Sequence, residues 1–89
     1  MVDVADLLKW LGEETGKFNK VRASRGNLMA TCPRLHDGRY EKNPSFGISL
    51  EEPHFFNCFS CGYRGTVEIL VMDVLHVSLE EAIRLLESR

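Results

Sequence analysis

Apolar positions divide the 89-residue chain into a helical part at each end and a strand-forming part between them. The first helix is predicted from about Val4 to Glu14, since Asp3 is a favourable N-cap and Gly16 follows as a helix terminator. Its apolar residues recur every three or four positions and should pack on the rest of the domain. They are Val4, Leu7, Leu8 and Leu11.

The middle of the chain changes to the period of β-strands. Residues 17–31 predict two short strands around a turn at residues 24–27. Residues 46–50 alternate between apolar and small side chains, as in a half-buried strand, and a turn at residues 51–53 leads to a returning strand over residues 54–58. The apolar positions of the alternating run are Phe46, Ile48 and Leu50.

Helical spacing returns after the glycine-rich residues 62–65. Thr66 can cap a helix that ends near His76, and Ser78 with Glu81 has the spacing of a capping box for a last helix. The order of one helix, antiparallel strands and two helices predicts the α+β class in one domain, residues 1–89. The last helix should carry one apolar side, formed by Leu79, Ala82, Ile83 and Leu86.

All three cysteines and one histidine fall in two close pairs, Cys32 with His36 and Cys58 with Cys61. A short loop within each pair brings two ligand atoms to one ion, and the strands between the pairs tie distant parts of the chain together. Three thiolates and an imidazole are typical of a closed tetrahedral zinc site. The pattern therefore predicts structural Zn²⁺ bound by Cys32, His36, Cys58 and Cys61.

Other interpretations of the same residues remain open. A Cys-x-x-Cys pair also occurs in dithiol redox proteins, but there it stands at a helix N-terminus, whereas Cys58 and Cys61 precede a glycine-rich turn. His54 is either a surface residue or a substitute for His36 as ligand, and His76 interacts with a helix C-terminus. An odd number of cysteines argues against a disulfide framework, and no apolar run suits a signal peptide or a membrane span. We therefore expect a cytoplasmic protein without a membrane partner.

Charge is unevenly distributed along a chain whose formal net charge is −2. Residues 17–46 contain seven cations and two anions, which gives this part a charge of +5 beside the predicted metal site. A local positive field of this kind suits a polyanion, although a solvated surface is the simpler interpretation. The cations of this part are Lys17, Lys20, Arg22, Arg25, Arg34, Arg39 and Lys42.

The ordered motifs resemble one family. Cys32-Pro33, His36, the block Glu41-Lys42-Asn43-Pro44-Ser45-Phe46 and Cys58-Phe59-x-Cys61-Gly62-x-x-Gly65 are similar to the zinc-binding domain of bacterial and phage DnaG-type DNA primases. The resemblance runs from about Val4 to Leu86. The chain departs from the usual spacing with three residues between Cys32 and His36 and a longer insert before Glu41.

The resemblance implies a zinc-ribbon-like antiparallel sheet and a function in replication. In this family the domain engages single-stranded DNA template and helps to set where RNA primer synthesis begins, with a polymerase domain and a replicative helicase as potential partners. This chain contains no recognisable catalytic set, so any primase activity would belong to a polymerase domain outside it. The resemblance and the charge together predict phosphate contacts from Arg34, Arg39, Lys42 and Arg64, with Tyr63 or an exposed Phe stacking on a base.

Two assignments for the other aromatic residues complete the prediction. Tyr40, Phe55 and Phe59 are candidates for the surface, and Phe46 and Phe56 are assigned to the core. Because neighbouring strand residues face opposite ways, only one of Phe55 and Phe56 is exposed, and alternation alone leaves open which one. The alternative function is a zinc-ribbon regulatory or protein-interaction module that uses the exposed faces of the last two helices and binds no nucleic acid.

Overall fold

The computed structural model describes residues 3–36, 38–40 and 42–88, with the backbone alone for Leu35, His36 and Tyr40. One helix, a set of short strands and two further helices follow one another, and the predicted α+β class is confirmed. The elements in chain order are α1 (Val4–Thr15), β1 (Arg22–Ser24), β2 (Asn27–Ala30), β3 (Leu35–His36), β4 (Arg39–Tyr40), β5 (Phe46–Ser49), β6 (Phe56–Cys58), β7 (Arg64–Gly65), α2 (Val67–Leu75) and α3 (Leu79–Glu87).

Local capping explains where the helices begin and end. The Asp3 carboxylate accepts hydrogen bonds from the backbone N–H groups of Ala5 and Asp6 at 3.0 and 3.2 Å, which satisfies donors that the first turn of α1 leaves open. Gly16 adopts a left-handed conformation with φ 74° and ends the helix one residue beyond the predicted boundary.

The two C-terminal helices also begin at their predicted caps. Thr66 and Ser78 accept from the backbone N–H groups of Ile69 and Glu81, and His76 ends α2 in a left-handed conformation. The Glu81 side chain binds Arg84 at 2.7 Å, so only the serine half of the predicted capping box is seen among the described residues. No helix in the described part of the chain has the length and apolar character needed to cross a membrane.

Five strands form one antiparallel sheet in the order β1-β2-β5-β6-β7, and β3 and β4 form a separate hairpin. Cross-strand pairing aligns one residue from each of the five strands in a row. We name the side of the sheet that carries this row the outer face. The row consists of Arg22, Met29, Gly47, Asn57 and Arg64. The opposite side, the inner face, is formed by the alternate positions, among them Leu28, Ile48 and Phe56.

The core lies between the inner face and the helices, because buried residues of α1, α2 and the sheet form one cluster. Aromatic rings run through it: Phe46 stacks on Phe56 with centroids 5.3 Å apart, and Phe56 lies 4.7 Å from Tyr63. Phe18 meets Phe46 edge to face at 5.4 Å. The predicted core positions of Phe46 and Phe56 are confirmed.

Some local predictions were wrong. The alternating pattern predicts Leu50 on the buried side of a strand, but β5 ends at Ser49 and Leu50 is 42% exposed. The returning strand begins at Phe56 instead of His54, which has a φ of 50° that is incompatible with a strand. Leu79 and Ile83 of α3 are exposed, so only part of its apolar side is covered by the described residues.

Candidate metal centre and nucleic-acid interface

The three cysteines come together at one end of the sheet. Cys58 is the last residue of β6 and pairs with Phe46 of β5, which in turn pairs with Ala30 of β2, two residues before Cys32. Cys61 follows in a turn that is closed by a hydrogen bond from the Gly62 N–H to the Cys58 carbonyl at 2.8 Å. The sheet register therefore brings distant parts of the chain to one place.

The thiol geometry fits a tetrahedral metal ion. The Sγ atoms of Cys32, Cys58 and Cys61 all lie within 4.8 Å of one another, and those of Cys32 and Cys61 are 3.9 Å apart. Zinc–thiolate bonds of about 2.3 Å in a tetrahedron separate two sulfur atoms by about 3.8 Å. A disulfide would bring the atoms to about 2.05 Å. The cluster can thus hold a metal ion, and no disulfide joins the three cysteines.

Burial opposes negative charge on this cluster when no cation is bound. Burial, helped by the neighbouring Cys58 and Cys61 and opposed by a hydrogen bond from the Arg34 backbone, raises the pKa of the Cys32 thiol to about 12. The protonated thiol is therefore the stable metal-free form at neutral pH. A bound cation would compensate the thiolate charge and release the proton.

The predicted fourth ligand, His36, lies at the end of β3, and its backbone pairs with Arg39 of β4. Its side chain is outside the described residues, so its ligation stays a prediction. Tyr40, a candidate for the surface, is likewise described by its backbone alone.

His54 occupies neither of its predicted positions. It is buried instead of lying on the surface, and its Nδ1 is 2.9 Å from the Ser49 carbonyl oxygen. Within the part of the chain that the structure describes, the cluster of metal-ligating side chains comprises the three cysteines and not His54. The role of His54 is to close the turn between β5 and β6.

The predicted nucleic-acid contacts differ in their surroundings. Arg34, Arg39, Lys42 and Arg64 are exposed. Tyr63 is only 8% exposed: its hydroxyl donates to the Asp73 carboxylate at 2.7 Å, and the Arg34 guanidinium lies 4.9 Å from its ring centroid. Burial and the hydrogen bond to Asp73 raise the Tyr63 pKa. Tyr63 therefore packs between the sheet and α2 and exposes little ring surface to a base, so the structure does not support its predicted stacking role.

Removing the Tyr63 hydroxyl should weaken the domain. We expect Tyr63→Phe to lower the free energy of unfolding by about 1 kcal/mol, because the partly buried hydrogen bond to Asp73 is lost. Urea denaturation of the metal-loaded protein measures this change. Asp73→Asn retains an acceptor and should lose less; an unchanged midpoint for Tyr63→Phe would show that the bond contributes nothing.

Alternation with Asn57 assigns two exposed aromatic rings to the outer face, and Phe59 Cε2 would lie 3.3 Å from a Cβ on Gly47. Phe55 is 60% exposed and Phe59 is 67% exposed, on either side of Asn57. Hence the candidates Phe55 and Phe59 are confirmed as surface residues. Sequence reasoning missed Arg22, Met29 and Asn57 as members of the same surface, since only the strand register places them in one row.

Comparison with known proteins identifies the family. Residues 11–89 match the CHC2 zinc finger, the zinc ribbon of DnaG. The chain is 40% identical over 68 residues to the DNA primase of Mycolicibacterium smegmatis, 41% over 63 residues to that of Neisseria meningitidis serogroup A and 32% over 69 residues to that of Enterococcus faecalis. The matches cover 76%, 71% and 78% of this chain but only 10% of each primase. The chain belongs to the CHC2 zinc finger family.

Proposed function

We propose that this chain is the zinc-binding, single-stranded DNA-binding module of a primase-like protein. A zinc ion bound by Cys32, His36, Cys58 and Cys61 fixes the end of the sheet, and the outer face holds the template. One observation carries the proposal: the exposed rings of Phe55 and Phe59 lie on a sheet face whose edges carry Arg22 and Arg64.

The outer face combines the two groups that single-strand binding requires. Exposed aromatic rings give each unpaired base a surface on which to stack, and cations at the edges accompany the phosphate backbone. Arg22 is at one edge of the five-residue row and Arg64 is at the other. Since a paired duplex buries its base faces, this arrangement suits a single strand.

The hairpin and loop beside the metal centre add further charge. Arg39 lies on β4, and Lys42 follows it, both exposed. The Lys20 ammonium donates to the Lys42 carbonyl at 2.9 Å, which brings a second lysine to this loop. These cations, with Arg34, extend the positive field beyond the sheet edge and should increase the rate of DNA association.

The metal has a structural role in this proposal. Strands of only two to four residues give a small sheet that buries little surface by itself. Zinc supplies a cross-link between the β2 end, the β3–β4 hairpin and the β6 turn. Four protein ligands would leave no open position for an activated water.

A role in a whole protein is supported by the relatives, which are DNA primases. We infer that residues 1–89 form one domain that positions template for primer initiation in the cytoplasm, together with a polymerase domain and, in replication, a helicase. Catalysis would belong to the polymerase domain.

A second candidate is a protein-interaction module. It is favoured by three exposed apolar side chains on the C-terminal helices, Ile69 of α2 and Leu79 and Ile83 of α3. This function predicts that substitutions of these residues on α2 and α3 weaken binding to a protein partner. Substitutions on the outer face should leave that binding unchanged.

Salt-dependent binding separates the two candidates. Fluorescence anisotropy of a labelled single-stranded oligonucleotide, titrated with zinc-loaded protein, should show affinity that falls as salt rises. Contacts to about four phosphates predict a slope of about −3 in a plot of log K against log salt. Absence of binding even at low salt would reject the DNA-binding proposal and leave protein interaction.

Gly47 should be required for the geometry of the outer face. A Cβ atom there would lie 2.9 Å from Met29 Sδ and 3.3 Å from Phe59 Cε2, so these side chains cover the glycine. We expect Gly47→Ala to displace the Phe59 ring and weaken oligonucleotide binding roughly fivefold, as part of its stacking contribution. Anisotropy titrations measure this effect.

Gly65→Ala is the matched control on the inner face. Its Cβ would meet the buried Phe56 ring at 3.3 Å, so the substitution should lower stability by about 1–3 kcal/mol. Gly47→Ala displaces the flexible end of the half-buried Met29 and the exposed Phe59 ring, and should change stability by less than about 1 kcal/mol. Equal binding by Gly47→Ala and the wild type would show that Phe59 needs no fixed position.

A further inference from the structure

Asn57 has a special position on the outer face. Its strand neighbours Phe56 and Cys58 are buried, so alternation directs the Asn57 side chain to the opposite side. In the cross-strand row it lies between Gly47, which has no side chain, and Arg64. The amide is therefore flanked by the charged Arg64 side chain on one strand and, on the other, by Gly47, which the Met29 and Phe59 side chains cover.

The amide is also available for a ligand. Asn57 is half-buried, and its side chain makes no hydrogen bond to any residue in the described ranges. The exposed rings of Phe55 and Phe59 lie two residues away on either side. A base that stacks on either ring would thus bring one of its edges towards an amide with a free donor and a free acceptor.

We propose that Asn57 reads the edge of a stacked base and gives this surface a preference for adenine, an inference that rests on the proposed single-strand binding. A side-chain amide pairs a donor with an acceptor. Adenine offers the complementary pair on both its Watson–Crick edge (N6 with N1) and its Hoogsteen edge (N6 with N7). Asparagine typically binds adenine in this bidentate way, with the amide oxygen accepting from N6 and the amide nitrogen donating to N7.

The other polar groups of the outer face lack this combination. Asn27 on β2 pairs with Ser49 of β5 and does not lie between the two exposed rings. Arg64 carries donors only and suits a phosphate as well as a base. Asn57 is thus the residue at which stacking and edge recognition coincide, and Asn27 is its matched control.

The test compares two oligomers that differ in one chemical group. Zinc-loaded protein is titrated with labelled ten-residue deoxyadenosine and with the same oligomer built from purine deoxyriboside, which lacks the 6-amino group. Wild-type protein should bind the purine oligomer at least about fivefold more weakly, as expected when a bidentate contact is lost. In Asn57→Ala the two oligomers should bind within about twofold of each other, because the amide that contacts the amino group is absent. The four affinities form a double-mutant cycle, which isolates the coupling between the amide and the amino group. Asn27→Ala should keep the wild-type ratio.

Each outcome decides the proposal. A ratio that persists in Asn57→Ala, or a wild type that does not discriminate between the oligomers, overturns base reading and leaves single-strand binding intact. Failure of the wild type to bind either oligomer overturns both. If thermal melting shows that Asn57→Ala does not fold, Asn57→Thr replaces it, since threonine favours strands and lacks the amide pair.

Discussion

Replacing Cys58 with serine is expected to remove the bound metal and unfold the domain. Cys58 is 0% exposed and ends the strand that joins the metal centre to the core. Structural zinc contributes about 10–16 kcal/mol of apparent binding free energy in small domains. The whole stability of a domain is only about 5–15 kcal/mol. If the loss of the Cys58 thiolate releases the zinc, the binding free energy that is lost is as large as the whole free energy of folding. Zinc content of the purified protein and its near-ultraviolet circular dichroism measure the result.

Three further variants make this test specific to the ligands. Phe59→Ala changes the exposed neighbour of Cys58 and should keep zinc and the wild-type melting temperature. His36→Ala should lower metal affinity, whereas His54→Ala should keep the metal and lose stability alone, since His54 lies outside the thiol cluster. Full zinc content and unchanged melting in Cys58→Ser would refute the structural role of the metal.

Phe59→Ala is expected to cause the largest loss of DNA affinity that leaves the fold intact. The ring is 67% exposed and lies over Gly47, so its removal takes away a stacking surface and little core packing. Stacking of one base on an aromatic ring contributes about 1–3 kcal/mol, which corresponds to about 5- to 150-fold in the dissociation constant. Anisotropy titrations at one fixed salt concentration give this ratio directly.

Ile83→Ala provides the matched control for Phe59→Ala. It removes an exposed apolar side chain from α3 and should leave oligonucleotide affinity unchanged. Phe55→Ala should resemble Phe59→Ala, since both rings belong to the outer face. Equal affinity of Phe59→Ala and the wild type would contradict the stacking surface.

The sequence is sufficient to predict the elements whose signals are local. Asp3, Thr66 and Ser78 each cap a helix through hydrogen bonds to residues two or three positions away, so the pattern alone locates the helix starts. The clustering of the three cysteines could likewise be predicted, because their spacing in the sequence is typical of residues that bind one ion.

The surface could not be predicted in the same way, because it depends on contacts between distant residues. The register of five strands places Arg22 and Asn57 in one row, and no local pattern encodes that alignment. Tyr63 illustrates the converse error. It follows a glycine turn where alternation fails, and only the packing of α2 shows that Asp73 accepts its hydroxyl and that its ring is covered.

The most direct test of the central claim is to locate the DNA on the protein by nuclear magnetic resonance. ¹⁵N-labelled, zinc-loaded protein is titrated with an unlabelled single-stranded oligonucleotide, and backbone amide shifts are followed. The proposal predicts the largest changes along Arg22, Met29, Gly47, Asn57 and Arg64 and at the two exposed rings. Changes concentrated on α2 and α3, around Ile69, Leu79 and Ile83, with an unaltered outer face, would contradict it.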